Sequence, residues 1–237
     1  MKRSLFQTVS TVLTLIRYNL KIMFVHRFLY FLLAAVGFFV VVVAINRAAG
    51  KELTPAAMYN LLLLPAILLV FYPAVFGIQS DADAQMLEVI FGIPDYRYRI
   101  WLFRLALSYA VTEAVVVCLC FACAAFVPNF PVLSMALNLF FAILFWGGAA
   151  FLCSTLMRNA YGAAVVLVMA GFLFWTMSGS FPLSQWNVFL NPFSMVSGVA
   201  EATWHATVRT NRFLLFAAGV LSVLWGLRYL MQREKFL

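Results

Sequence analysis

Cys118, Cys120 and Cys123 stand as C-x-C-x-x-C, the densest group of potential metal ligands in the chain. On a helix, steps of two and three residues turn by about 200° and 300°, so the three thiols would point in three directions. No His or carboxylate falls at a spacing that would complete a tetrahedral set. Together with Cys153 they sit in apolar runs, where free cysteine behaves as a small apolar residue. Neither a metal site nor a disulfide is expected. His26 and His205 each stand alone and read as amphipathic interfacial residues. The phosphate-binding pattern G-x-x-x-x-G-K-[ST] does not occur, because Gly50-Lys51 lacks both the upstream glycine and the following hydroxyl. H-E-x-x-H and G-x-S-x-G do not occur either. The chain itself is therefore expected to hydrolyse no nucleotide, to hold no cofactor and to carry no catalytic residue.

Glu113 differs, because it lies deep in an apolar run. An ionisable group in hydrocarbon is expensive and is a candidate for function by default. The competing reading is a protonated or paired glutamate that holds helices together, with Thr112 or Tyr109 as its partner. Asn60 and Asn138 are weaker candidates of the same kind, since amides commonly bond between membrane helices. These three are candidate pathway or packing residues.

The second concentration of polar chemistry is "DADAQMLEVIFGIPDYRYRI", residues 81–100, which holds Asp81, Asp83, Glu88 and Asp95, half of the chain's 8 acidic residues. Leu87, Ile90 and Phe91 recur at three- and four-residue steps and form an apolar patch. Gly92-Ile93-Pro94 stops that helix, because proline disfavours the helical conformation in the residue before it. Taken alone, the segment reads equally well as a solvated loop kept out of lipid by its charges.

The elements that position these residues follow from composition. Of 237 residues, 65% are hydrophobic and 10% charged, against about 25% charged in ordinary soluble domains. The mean hydropathy is +0.99. Lipid is the expected solvent, and a hydrocarbon core about 30 Å thick takes roughly 20 apolar residues per helix. Six continuous runs meet this, at about 28–46, 55–78, 104–127, 132–156, 160–178 and 213–230. Continuous runs point to helices, whereas transmembrane barrels show short alternating segments. The fold class is thus an all-α membrane protein with six transmembrane helices in a single domain, 1–237. The 27 residues before the first run, and Ile45-Asn46-Arg47 after it, do not suit a cleaved signal peptide.

Orientation follows from the basic flanks. With the N-terminus inside, Lys2, Arg3, Arg17, Lys21, Arg27, Arg97, Arg99, Arg104, Arg158, Arg228, Arg233 and Lys235 face the cytoplasm, and only Arg47, Lys51, Arg209 and Arg212 lie outside. Both termini are then cytoplasmic. The net charge of +8 reports topology and anionic lipid headgroups rather than nucleic acid, because the basic residues form no continuous stripe. Residues 5–24 alternate apolar and polar faces at helical steps. They predict an amphipathic helix lying in the interface, with the leading end of a long first span as the other reading. Arg97, Arg99 and Arg104 are expected to snorkel at the headgroups, with Trp101 as an interfacial anchor. The outside segment 179–212 is too polar to span and rich in aromatics. Pro182 and Pro192 predict two short helices, 182–190 and 192–206, that dip back toward the membrane or lie on it.

Residues 81–104 resemble the cytoplasmic signature of the type-2 class of ABC exporter permeases, approximately E-x-E-x-G-T-L-E-x-L-L-x-x-P-x-x-R with a later basic residue. Asp81 and Asp83 stand at the leading acids, Leu87-Glu88 at the Leu-Glu pair, and Ile90-Phe91 at the two apolar positions. Pro94, Arg97 and Arg104 take the proline, arginine and later basic positions. Gln85-Met86 and Phe103 depart from the usual Gly-Thr and Gly. "GSFPLSQWNVFLNP" is similar to the family's stretch before its final helix, carried here by Gly179, Pro182, Trp186, Asn191 and Pro192, with Glu201 beyond. The resemblance implies a permease half of an ATP-driven exporter in the bacterial cytoplasmic (inner) membrane. It implies pairing with a second permease chain, identical or paralogous, and docking on a separate dimeric P-loop ATPase that holds ATP and Mg. Asp81, Asp83, Leu87, Glu88, Ile90, Phe91, Pro94 and Arg97 would form the coupling helix seated on that ATPase. The 25 Phe of the chain and the aromatic segment 179–212 favour a hydrophobic or amphipathic substrate. A permease-like anchor or sensor that moves nothing is the alternative.

Overall fold

The computed structural model describes residues 27–83 and 97–230, and all of its regular structure is helical. Six helices follow one another: α1 (Arg27–Ala48), α2 (Pro55–Asp83), α3 (Arg97–Ala124), α4 (Val132–Met157), α5 (Ala160–Ser180) and α6 (Glu201–Leu230). At 1.5 Å per residue their 21–30 residues give lengths of about 32–45 Å. All six are long and apolar enough to cross a membrane. The proposed interfacial helix at 5–24 lies outside the described residues.

Local chemistry sets the turns between them. Thr54 precedes Pro55 and accepts the Ala57 amide on its hydroxyl at 3.2 Å, so α2 begins with a capping hydroxyl and with proline in the first turn. The helix then runs unbroken through Pro65 and Pro73. Between α4 and α5, Arg158 closes one helix in the left-handed conformation, φ 52°. Asn159 opens the next by accepting the amides of Tyr161 and Gly162 at 2.9 and 3.2 Å. Asn129, φ 53°, turns the chain between α3 and α4.

The central helix is α4, which touches α2, α3, α5 and α6, and its contact with α6 is the most extensive in the bundle. That crossing is made of glycine. A Cβ on Gly148 would lie 2.5 Å from the Gly219 carbonyl oxygen, and one on Gly219 would lie 2.8 Å from that of Leu144. Without a hydrophobic drive between helices in lipid, such backbone approach is what brings them together. By contrast α5 buries only Ala160, Ala163 and Leu167 and presents Val165, Phe172 and Leu173 outward. On a soluble protein that surface would be a liability; in a bilayer it is the lipid face.

Two expectations are corrected here. The third helix starts at Arg97, seven residues before the start expected from hydropathy, and two side chains of its first turns are packed into the bundle. Trp101 is 3% and Arg104 is 7% exposed, with the Arg104 guanidinium 5.4 Å from the Trp101 ring centre. Trp101 therefore belongs to the core and is no surface anchor. The segment 179–212 also differs. Gly179 and Ser180 end α5, residues 181–200 form consecutive turns, and Glu201 onward is the start of α6. No short helices form at 182–190 or 192–206. Ser184, Asn187 and Asn191 each use the side-chain oxygen to take the amide two residues on, at 3.2, 3.0 and 3.0 Å. Backbone bonds closing at three-residue steps alternate with them. These side-chain bonds compete with a helix, and Pro182 and Pro192 occupy the second position of turns, where their fixed φ is equally at home.

Candidate functional site

Consecutive helices run antiparallel, so α1, α3 and α5 end where α2, α4 and α6 begin. At this end the 181–200 turns and the first three turns of α6 form a cap, tied together by Trp204 Nε1 donating to the Pro192 carbonyl at 3.4 Å. Beneath the cap lies the densest polar network among the described residues, built around Arg212.

Arg212 is 6% exposed and reaches two other helices and the cap at once. Its Nε donates to Asn138 Oδ1 on α4 at 2.9 Å. Nη1 donates to Asn211 Oδ1 at 3.3 Å, and Nη2 donates both to the Tyr59 hydroxyl on α2 at 3.1 Å and to the Leu190 carbonyl at 3.0 Å. The guanidinium also lies 5.7 Å from the Tyr59 ring centre. No carboxylate is among its partners. A buried charge without a counter-ion is costly unless its donors are satisfied, and here neutral dipoles do that work. Neighbouring asparagines extend the net. Asn211 donates to the carbonyls of Gln185 and Asn187, both at 2.9 Å, while Asn191 donates to the Ala56 carbonyl at 2.8 Å and to Asn60 Oδ1 at 3.0 Å.

Against this net lies a cleft of about 450 Å³, within the range of small-molecule sites. Asn60, Leu64 and Ile67 of α2, Trp175 and Gly179 of α5, and Asn191 and Ser194 of the cap contribute to it, and none of its lining residues is charged.

The sequence-derived candidates distribute as follows. Asn60, Asn138 and Asn191 converge on the network, and Gly179, Pro182 and Asn191 on the cleft. Pro192 supplies a carbonyl to Trp204, Trp186 is 69% exposed, and Glu201 is the first residue of α6, 3.5 Å from His205 on the cap's outer face. Glu113 is separate, on α3. Its Oε2 is buried without a hydrogen-bond partner, as is the Thr112 hydroxyl, and Tyr109 donates instead to the Leu144 carbonyl at 3.2 Å. The pairing of Glu113 with Thr112 or Tyr109 does not occur. Asp81 and Asp83 end α2 and Arg97 begins α3, at the opposite end from the cap. Leu87, Glu88, Ile90, Phe91 and Pro94 lie outside the described residues. Cys120 and Cys123 are buried and Cys118 exposed. Among the described residues no group of His, Cys, Asp and Glu is placed to hold a metal.

Arg212, Tyr59, Asn211, Asn187 and Trp175 were not singled out from the sequence. The available signal was Asn211-Arg212 directly before an apolar run, which hydropathy reads as a flank rather than as buried polar chemistry. No protein-family model, curated protein or solved structure matches the chain.

Proposed function

We propose that the chain is the permease half of an ATP-driven ABC exporter of the type-2 class, which pairs with a second permease chain and docks on a separate P-loop ATPase. In this reading the cap end faces outward, both termini are cytoplasmic, and the host membrane is a bacterial inner membrane. The observation that supports it best is the position of the acidic signature. Asp81 and Asp83 are among the last residues of α2, and Arg97 is the first of α3, so the signature begins on one span and ends on the next, at the end away from the cap. A coupling element has to leave lipid there, offer an apolar knob and surround it with charges that fix register. Asp81, Asp83 and Glu88 supply the charges, Leu87, Ile90 and Phe91 the knob. ATP and Mg are bound by the partner, and this chain supplies the pathway.

Co-purification tests the reading. Co-expressed with its P-loop ATPase and extracted gently, the chain retains that subunit. The variant Leu87→Glu/Phe91→Glu loses it by about tenfold or more, since a buried anchor contributes about 2 kcal/mol or more. Retention of both the ATPase and its stimulated turnover in that variant would defeat the coupling assignment. A chain that binds the ATPase but stimulates no turnover with any compound is an anchor or sensor.

A further inference from the structure

The cleft beneath the cap has a hydrogen-bonding capacity that the protein leaves unused, and none of it is charged. Asn191 spends both amide protons, on the Ala56 carbonyl at 2.8 Å and on Asn60 Oδ1 at 3.0 Å, and its oxygen takes the Phe193 amide. Asn187 accepts the Phe189 amide and turns its own NH₂ to the Ser178 carbonyl at 3.5 Å. Ser178 donates to the Trp175 carbonyl at 2.7 Å. What remains is the NH₂ of Asn60, whose orientation is fixed because its oxygen already faces Asn191, and the hydroxyl of Ser194. Neither has a partner among the described residues.

The rest of the wall is apolar and partly open. Leu64 is 54% and Trp175 is 63% exposed, on two helices that touch each other little. Leu64 lies nine residues into α2, about 13 Å from its first residue, so the wall continues from the cap down into the span. At Gly179 an added Cβ would meet nothing within 4 Å, so the space beside it is open.

An ionic ligand entering this cleft would lose hydration without meeting a counter-charge. A purely apolar one would cover an amide NH₂ and a hydroxyl that it could not satisfy. We propose that the cleft binds a neutral, hydroxyl-bearing amphiphile, its uncharged head at Asn60 and Ser194 and its alkyl chain along Leu64 and Trp175. The volume of about 450 Å³ equals roughly 15 waters at about 30 Å³ each, room for one compact head and the start of one chain. The Trp175 and Trp204 rings flank it, amphipathic groups suited to the level where head meets chain.

Photo-cross-linking in phosphatidylcholine nanodiscs tests this on the full chain alone. The site needs neither ATP nor ATPase, so a negative result leaves the exporter reading standing, and loss of ATPase binding does not bear on the site. The probe is dodecyl glucoside with a diazirine in its chain. Label is expected on peptides carrying residues 60–67 and 175–179, competed by unlabelled dodecyl glucoside but not by dodecyl sulfate or dodecyl phosphocholine. Asn60→Asp keeps the oxygen that Asn191 needs while removing the amide donors, and Gly179→Leu fills the cleft from its open side. Each lowers labelling of these peptides roughly tenfold, about 1.4 kcal/mol, and leaves background labelling of α1 unchanged. That α1 signal shows the variant is folded and inserted. Even labelling of all exposed helix faces overturns the proposal. So does labelling that both variants leave intact, or competition by dodecyl sulfate as strong as by the glucoside.

Discussion

Replacing Arg212 by lysine should harm the protein more than replacing it by methionine. Arg212 makes four hydrogen bonds, to α2, α4, the cap and its neighbour Asn211, at 2.9–3.3 Å, and none of the acceptors is charged. Methionine fills similar volume and leaves Asn138 Oδ1, Asn211 Oδ1 and the Leu190 carbonyl unpaired, at about 1–3 kcal/mol each. It also removes a buried charge that has no counter-ion, which returns several kcal/mol of desolvation. The net destabilisation is about 1–2 kcal/mol. Lysine keeps the charge but gives up the planar fork, and its compact, strongly hydrated ammonium cannot reach α2, α4 and the cap together. A buried charge stripped of partners costs about 3–5 kcal/mol. At roughly 2–4 °C per kcal/mol for a chain of this size, Arg212→Met lowers Tm by about 2–8 °C and Arg212→Lys by about 6–20 °C. Thermal unfolding of the purified protein in one detergent, followed by thiol-reactive dye uptake at the buried cysteines, measures both. A lysine variant as stable as the methionine variant would refute the claim that fork geometry, rather than charge, holds the cap.

Two further outcomes follow from the packing. Gly148→Ala places a methyl 2.5 Å from a backbone oxygen of α6, where no flexible side chain can yield. It destabilises by about 1–3 kcal/mol, whereas Gly37→Ala, with nothing within 4 Å, has no packing cost; equal Tm changes in the same unfolding assay would count against the glycine crossing. Glu113→Leu removes a carboxyl whose Oε2 has no partner and raises stability by about 1–3 kcal/mol, with stimulated ATPase turnover retained in the reconstituted complex. A tenfold fall in turnover at unchanged stability would instead place Glu113 on the transport pathway.

The six spans were legible because lipid demands long uninterrupted apolar runs, and nothing else in a sequence of this composition produces them. Their starts were less so. Residues 201–212 carry Glu201, His205, Arg209 and Arg212, so hydropathy reads them as a loop. The structure shows one helix whose buried positions, Trp204, Asn211, Arg212, Leu215 and Gly219, keep helical steps across the polar boundary. The signal was periodicity, and polarity masked it. Arg97–Arg104 misled in the same way, because three arginines suggest a surface while Trp101 and Arg104 are packed. In the cap, proline was ambiguous: at Pro182 and Pro192 its fixed φ suits a helix start and a turn alike, and the deciding residues were the Ser and Asn beside them. The asparagines were recognisable as candidates one at a time. Their convergence on Arg212 was not, since it joins positions 59, 138, 190 and 212, which only the packed bundle brings together.

The proposed role of the segment between α2 and α3, transmitting the work of an ATPase, is open to direct test by cross-linking. A cysteine placed at Glu88, in a chain whose four native cysteines are changed to alanine, is joined by a short thiol-to-amine reagent in membranes that contain the partner ATPase. An adduct with the mass of one permease and one ATPase subunit is expected, and its yield changes when ATP and Mg are added. Modification of that cysteine without any ATPase adduct, while the two proteins co-purify, would contradict it.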